Sequence, residues 1–179
     1  MNPITIILLS TILISVLIII YVLTYNKLHY YKVRIEVAEN IVDESLRAKY
    51  DLLCDLNTDI KKVVKDKDYL KEYIEYKNQR LTNYETDRKL VEGFNLINEL
   101  KNDHKKLDTK KFTNKLNKVK KINEELESGK NFFNKNTTKM NMLIRKFPTN
   151  IVARRHKFRI KPYFDNKNTQ DAVYDDFKL

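Results

Sequence analysis

Five carboxylates, Glu39, Asp43, Asp51, Asp55 and Asp59, recur at multiples of four residues, and Arg47 fills the missing step. Side chains four apart share a helix face, so this row has the spacing of a metal-binding stripe. Di-metal sites in helical bundles add Glu-x-x-His pairs on facing helices. His29, His104 and His156 fall in separate segments with no such spacing. The simpler reading is a ladder of ion pairs, Asp43–Arg47–Asp51, worth about 0.2–0.5 kcal/mol each. Cys54 is the single cysteine and has no histidine placed to activate it. There is no phosphate loop, glycine-rich turn or Ser/His/Asp arrangement. No catalytic residue, metal ligand or cofactor is expected.

The remaining candidates are basic. The chain carries 35 Lys and Arg against 24 Asp and Glu, a formal charge of +11. Residues 104–148 alone sum to +9, with lysines such as Lys118 and Lys121 along a helical face. A second run, Arg154, Arg155, Lys157, Arg159 and Lys161, follows Pro148. A nucleic-acid surface would bring arginines, stacking aromatics or a recognised module along that face. Here lysines dominate and the aromatics fall on the apolar stripe. A solvated face and an acidic protein partner at Lys118, Lys121, Arg154, Arg155 and Lys157 are the preferred readings. A tethered nucleic-acid or polyanion-binding module is the alternative.

The elements that would position these residues begin with ITIILLSTILISVLIIIYVL, residues 4–23, which carry no charge. Twenty helical residues rise about 30 Å, the thickness of a bilayer's hydrocarbon core. The basic start, short apolar core and cleavage site of a signal peptide are missing. Lys27, Lys32 and Arg34 follow the stretch and no basic side chain precedes it. The positive-inside bias then places the N-terminus outside and the remainder in the cytoplasm. The lone thiol fits a reducing compartment, and abundant Ile, Lys, Asn and Tyr suggest a bacterial source.

Beyond the anchor, apolar residues recur every three or four positions. Leu28, Ile35, Val42, Leu46, Leu53, Leu56 and Ile60 form a seam of the coiled-coil kind, with a gap at Lys49-Tyr50. No Gly or Pro interrupts it, so one helix should run from the anchor to about residue 65. Leu70 to Ile97 give a second stripe, weakest over 78–87, where Gly93 costs about 1 kcal/mol relative to Ala. Asp68 is the expected cap of this helix, and Asp108 or Thr109 that of a third helix ending before Pro148. Thr149 or Asn150 would cap a short fourth helix.

The expected fold is therefore all-α: a single transmembrane helix continuing into an elongated antiparallel bundle of three long helices plus a short fourth. The anchor is residues 1–24, the bundle 25–160, and the tail 161–179 mostly disordered. An odd number of passes places 146–158 at the end far from the membrane, many Debye lengths away, which argues against lipid contact there. Asn134 and Asn141, seven apart, suit buried register-fixing positions. The chain is compatible with an oligomer.

Several of these residues resemble the LemA family of bacterial membrane-anchored helical proteins. Tyr25-Asn26 matches a family Tyr-Asn. The stretch VDESLRAKYDLLCDL at 42–56 resembles a conserved block at Asp43, Arg47, Asp51 and Leu52 among others. Asn134, Asn141 and FPTNIVA, with Phe147, Pro148, Asn150 and Ala153, follow the order of the family's later motifs. Cys54-Asp55 replace a family Pro-Asn, and a Tyr-Pro turn before the third helix is missing, so the chain resembles a divergent member. The resemblance implies an antiparallel bundle on one span, a scaffold or interaction role, and no agreed reaction.

Overall fold

The computed structural model describes residues 2–64, 68–75 and 81–165. Every regular element among them is helical: α1 (Pro3–Val63), α2 (Lys71–Glu75), α3 (Asn83–Asp103), a 3-10 turn at Lys105–Leu107, α4 (Lys110–Arg145) and α5 (Thr149–Arg155). α1 runs unbroken through the apolar stretch, as the absence of Gly and Pro predicts. Its first residues expose their apolar side chains, and it is long and apolar enough to cross a membrane by length and composition.

The count of long helices differs from expectation. Among the described residues there are two, α1 with 61 residues and α4 with 36, and the second stripe is interrupted at residues 81–82. The cause is a capping box. Thr82 Oγ1 accepts the Glu85 N–H, and the Glu85 carboxylate accepts the Thr82 N–H at 2.8 Å. A Thr-x-x-Glu start satisfies two orphan amides and begins a new helix there. Asp68 accepts the Lys71 N–H through its backbone carbonyl at 3.3 Å, and its side chain pairs with Lys61 at 2.6 Å. Thr109 does cap α4, its hydroxyl accepting the Phe112 N–H at 3.2 Å.

The described residues form two compact units. One gathers residues up to Glu36 with Phe133–Tyr163; the other holds Val37–Phe132 with Phe164 and Asp165. In the second unit, Tyr50 donates to the Ile74 carbonyl and Asn83 donates to Asp43. The chain thus runs back along α1 through α2, then reverses at Thr82 so that α3 follows α1 in the same direction. α4 returns antiparallel, with Lys115 beside Asp55 and Asp59, and Gly129 against Ile41 and Val42. Both glycines mark close approaches. A Cβ at Gly93 would lie 2.7 Å from Leu53 Cδ1, and one at Gly129 3.0 Å from Ile41 Cγ2. A side chain at Gly93 would therefore require Leu53 to shift, a packing effect added to the cost in helix propensity.

The core of this unit is the predicted seam of α1 closed by Leu90, Phe94, Ile97, Phe112, Val119 and Leu126. The gap at Lys49 is filled by charge. Lys49 is 2% exposed, and its ammonium donates to Asp87 at 3.0 Å. Asp87 also accepts from Lys130 at 2.6 Å.

In the first unit, α4 is antiparallel to α1 as well. Arg34 donates to Asn136, and Leu143 and Ile144 pack on the cluster of Leu28, Val152 and Ala153. The segment 146–158 consequently lies beside the end of the apolar stretch, not at a remote tip. The extra reversal at Thr82 produces this correction, since it makes α4 a returning pass.

Candidate functional site

The site is built where α4 ends. Pro148 has no amide proton and stops the helix; α4 closes at Arg145 and α5 opens at Thr149. Neither Thr149 nor Asn150 caps α5, because the N-cap position is Pro148 itself and no side chain bonds there. The end of α5 is better formed. Lys157 takes a left-handed φ of 57°, the Phe158 N–H donates to the Ala153 carbonyl at 2.9 Å, and the Lys157 N–H to that of Arg154 at 3.2 Å. These two bonds define a Schellman ending, completed by Phe158 folding onto Val152 and Ala153.

The turn aims residues 159–161 along α4, where Asn141 holds them. Its Nδ2 donates to the Lys161 carbonyl at 2.7 Å, and its Oδ1 accepts the Lys161 N–H at 3.0 Å. Asn141 is buried, and its amide forms a two-bond clamp on a segment twenty residues later. Thr138 Oγ1 donates to the Tyr163 hydroxyl. The start of the supposed tail is thus docked on α4, and Phe164, which belongs to the other unit, stacks edge-on to Tyr84 within that unit. The rest of that tail, 166–179, lies outside the described residues.

Between this held segment and α1 lies a groove of about 380 Å³. One wall presents Tyr25, His29 and Lys32, and the other Lys157, Arg159 and Lys161. Aromatic contacts fix its floor. Tyr21 Oη is hydrogen-bonded to His156 Nε2 at 2.6 Å. The His156 ring lies 4.6 Å from that of Tyr25, which in turn stacks on His29 at 6.0 Å.

The electrostatics are one-sided. Residues 1–36 and 133–163 hold twelve of the 35 basic residues and one of the 24 acidic ones, Glu36. The rest of the chain has 23 of each. The described stretches of the unit containing the groove therefore carry a net charge equal to the +11 of the whole chain. The one carboxylate is weakly engaged, 3.7 Å from Lys32 in an exposed pair.

In the other unit several buried charges are paired. Lys115 donates to Asp59 at 2.6 Å and lies 2.7 Å from Asp55. Burial opposes its charge, but the bonds to Asp55 and Asp59 prevail and raise its pKa. Burial likewise opposes ionisation of Asp87, yet Lys130 and Lys49 hold its carboxyl below the usual value. Tyr50 is pushed up to about 12, by burial and then by its bond to Cys54. Two carboxylates of the acidic row are therefore bound to Lys115, and Asp43 faces Asn83 instead of Arg47. Among the described residues no three His, Cys, Asp or Glu side chains converge as metal ligands.

The five predicted contact residues divide between the two units. Lys157 lines the groove, and Arg154 and Arg155 are exposed on α5 nearby. Lys118 and Lys121 are exposed on α4 within the other unit. Of the motif residues, Tyr25 is in the groove, Ala153 is buried beneath α5, and Leu52 packs on the core. Asn26, Arg47, Asp51, Phe147 and Pro148 are exposed, while Asn134 and Asn150 are half-buried. His29 and Lys32 had not been singled out as site residues. Their signal is basic and aromatic residues a turn or two past the apolar stretch, and it becomes legible only once α5 is known to return there.

The arrangement defines an all-helical protein that opens on an apolar helix of membrane-crossing length and carries its net charge beside it. The LemA family model matches residues 38–177, and the chain belongs to the LemA family. No curated protein and no solved structure matches it.

Proposed function

We propose that this is a single-span bacterial membrane protein whose helical body lies in the cytoplasm and serves as a scaffold or protein-interaction module, without catalysis. The observation that carries the reading is the concentration of a net charge equal to the whole chain's +11 beside the inner end of the apolar stretch. Basic residues close to a span favour the cytoplasmic side, and here α5 adds its own to those of Lys27, Lys32 and Arg34. Support for a non-catalytic role comes from the interior, where Lys49 and Lys130 are paired with Asp87 and Glu127. The exposed Lys118 and Lys121 offer an acidic protein partner a contact that these internal pairs leave open.

Engineered cysteines test the topology in a Cys54→Ser background. With residue 2 as the outer position and Lys118 as the inner one, an impermeant thiol reagent should label intact cells only at residue 2. Labelling at Lys118 would contradict the orientation. For the interaction role, a photocrosslinker at Lys118 in cells should give discrete adducts that weaken several-fold in Lys121→Glu. A smear insensitive to that change would contradict a specific partner.

A further inference from the structure

The exposed surface around the groove is not only basic. Phe147 is 73% exposed and Ile151 59%, in the corner between α4 and α5. Arg145 and Lys146 precede them and Arg154 and Arg155 follow. A bulky apolar pair bracketed by cations is the composition of a surface that lies in a membrane interface. Its level is fixed by register. Residue 136 lies against residue 34, and 143–144 against 28. The same antiparallel count brings 145–147 level with residues 23–25, where the apolar stretch ends.

Depth can be read along α1. From Leu23, Tyr25 lies about 3 Å on, His29 about 9 Å and Lys32 about 13 Å by helical rise. The headgroup layer is about 5–8 Å thick on each side of the hydrocarbon core. Tyr21 and Tyr25 sit at the level where interfacial aromatics collect. Lys157, Arg159 and Lys161 therefore face the headgroup zone within a Debye length of about 8 Å.

We propose that the groove binds the phosphate of an anionic phospholipid in the adjoining leaflet, with Phe147 and Ile151 entering the boundary of its acyl chains. The proposal rests on the membrane-anchored reading above. Lys157, Arg159 and Lys161 supply the charge. The Asn141 clamp on the Lys161 backbone holds their segment in place before a lipid arrives. The inner end of the groove, at Tyr25, lies within the headgroup layer, where a lipid phosphate is better placed than an acidic protein.

The test uses the full chain in a neutral detergent, titrated by calorimetry with short-chain phosphatidylglycerol, short-chain phosphatidylcholine, inorganic phosphate and a polyglutamate peptide. Phosphatidylglycerol should bind at least tenfold more tightly than the other three. The variant Lys157→Gln/Arg159→Gln/Lys161→Gln should weaken it on the order of 10–100-fold. That variant keeps the clamp, which uses only the Lys161 backbone, and its helicity should match the wild type by circular dichroism. Lys118→Gln/Lys121→Gln should bind as the wild type does. Equal binding of phosphatidylcholine, or a triple variant that binds normally, would overturn the proposal. Inorganic phosphate binding as tightly would make the ligand a free anion, and polyglutamate binding as tightly would make it an acidic chain; either overturns the lipid assignment. Alkaline extraction of cell membranes reads the anchor separately. Release of the protein there would remove the anchored reading itself, whatever the titrations show.

Discussion

At the residue scale, the two least hydrophobic features of the core carry the most specific information. Lys49 appears in the sequence as a gap in an apolar seam, and nothing nearby in the chain identifies its partner. Asp87 is 38 residues away and shared with Lys130. Removing Asp87 strands the buried Lys49 ammonium while Lys130 keeps Glu127, so Asp87→Ala should cost about 3–5 kcal/mol in chemical denaturation. Lys49→Met should cost less, because Asp87 keeps Lys130. The pH dependence has a definite sign. Asp87 is held below its ordinary value in the fold, so its stabilisation is present above about pH 4 and lost as pH falls through the folded value. Lys130 is shifted upward by the same coupling, so its share is complete below about pH 10 and lost as pH rises through its folded value. Asp87→Asn should flatten the acid limb of a stability–pH curve; an unchanged limb would assign that limb to other carboxylates.

At the element scale, the seams of α1 and α4 were legible because 3.6-residue periodicity and the lack of Gly and Pro leave little alternative. The second stripe was not, because apolar spacing alone continues smoothly across residue 82. The signal that breaks it is local: Thr82 followed by Glu85, a capping pair embedded in a polar stretch. Thr82→Ala should cost about 1 kcal/mol, measured as a lowered denaturation midpoint. An unchanged midpoint would show that packing alone fixes the start of α3. At the other end of the molecule's logic, Lys157 occupies a left-handed position that suits glycine. Lys157→Gly should stabilise the fold by about 0.5–1 kcal/mol. A destabilised variant would show that the Lys157 side chain contributes more to packing than its backbone costs. The Asn141 clamp was visible only as a buried amide at heptad spacing; its partner, a backbone segment twenty residues on, depends on the turn after α5.

At the whole-molecule scale, one misplaced reversal changes the function inferred. Three passes send the basic segment 154–161 away from the membrane, whereas the reversal at Thr82 returns it to Tyr21, Tyr25 and Leu28. Charge counted in sequence blocks hid the same fact, because α4 is shared between the two units. Divided by structural unit, the body containing Lys49, Asp87 and Lys115 is close to neutral and the excess lies beside the apolar helix. Family membership agrees with the all-helical fold but assigns no reaction, so the position of this basic corner is the central claim. The chain has no tryptophan, so one introduced residue reports without background. In full-length protein reconstituted with phosphatidylglycerol, Phe147→Trp should emit at blue-shifted wavelengths and be quenched by brominated acyl chains, while Lys118→Trp should remain water-like and unquenched. Water-like, unquenched emission from Phe147→Trp would contradict a corner seated in the membrane interface.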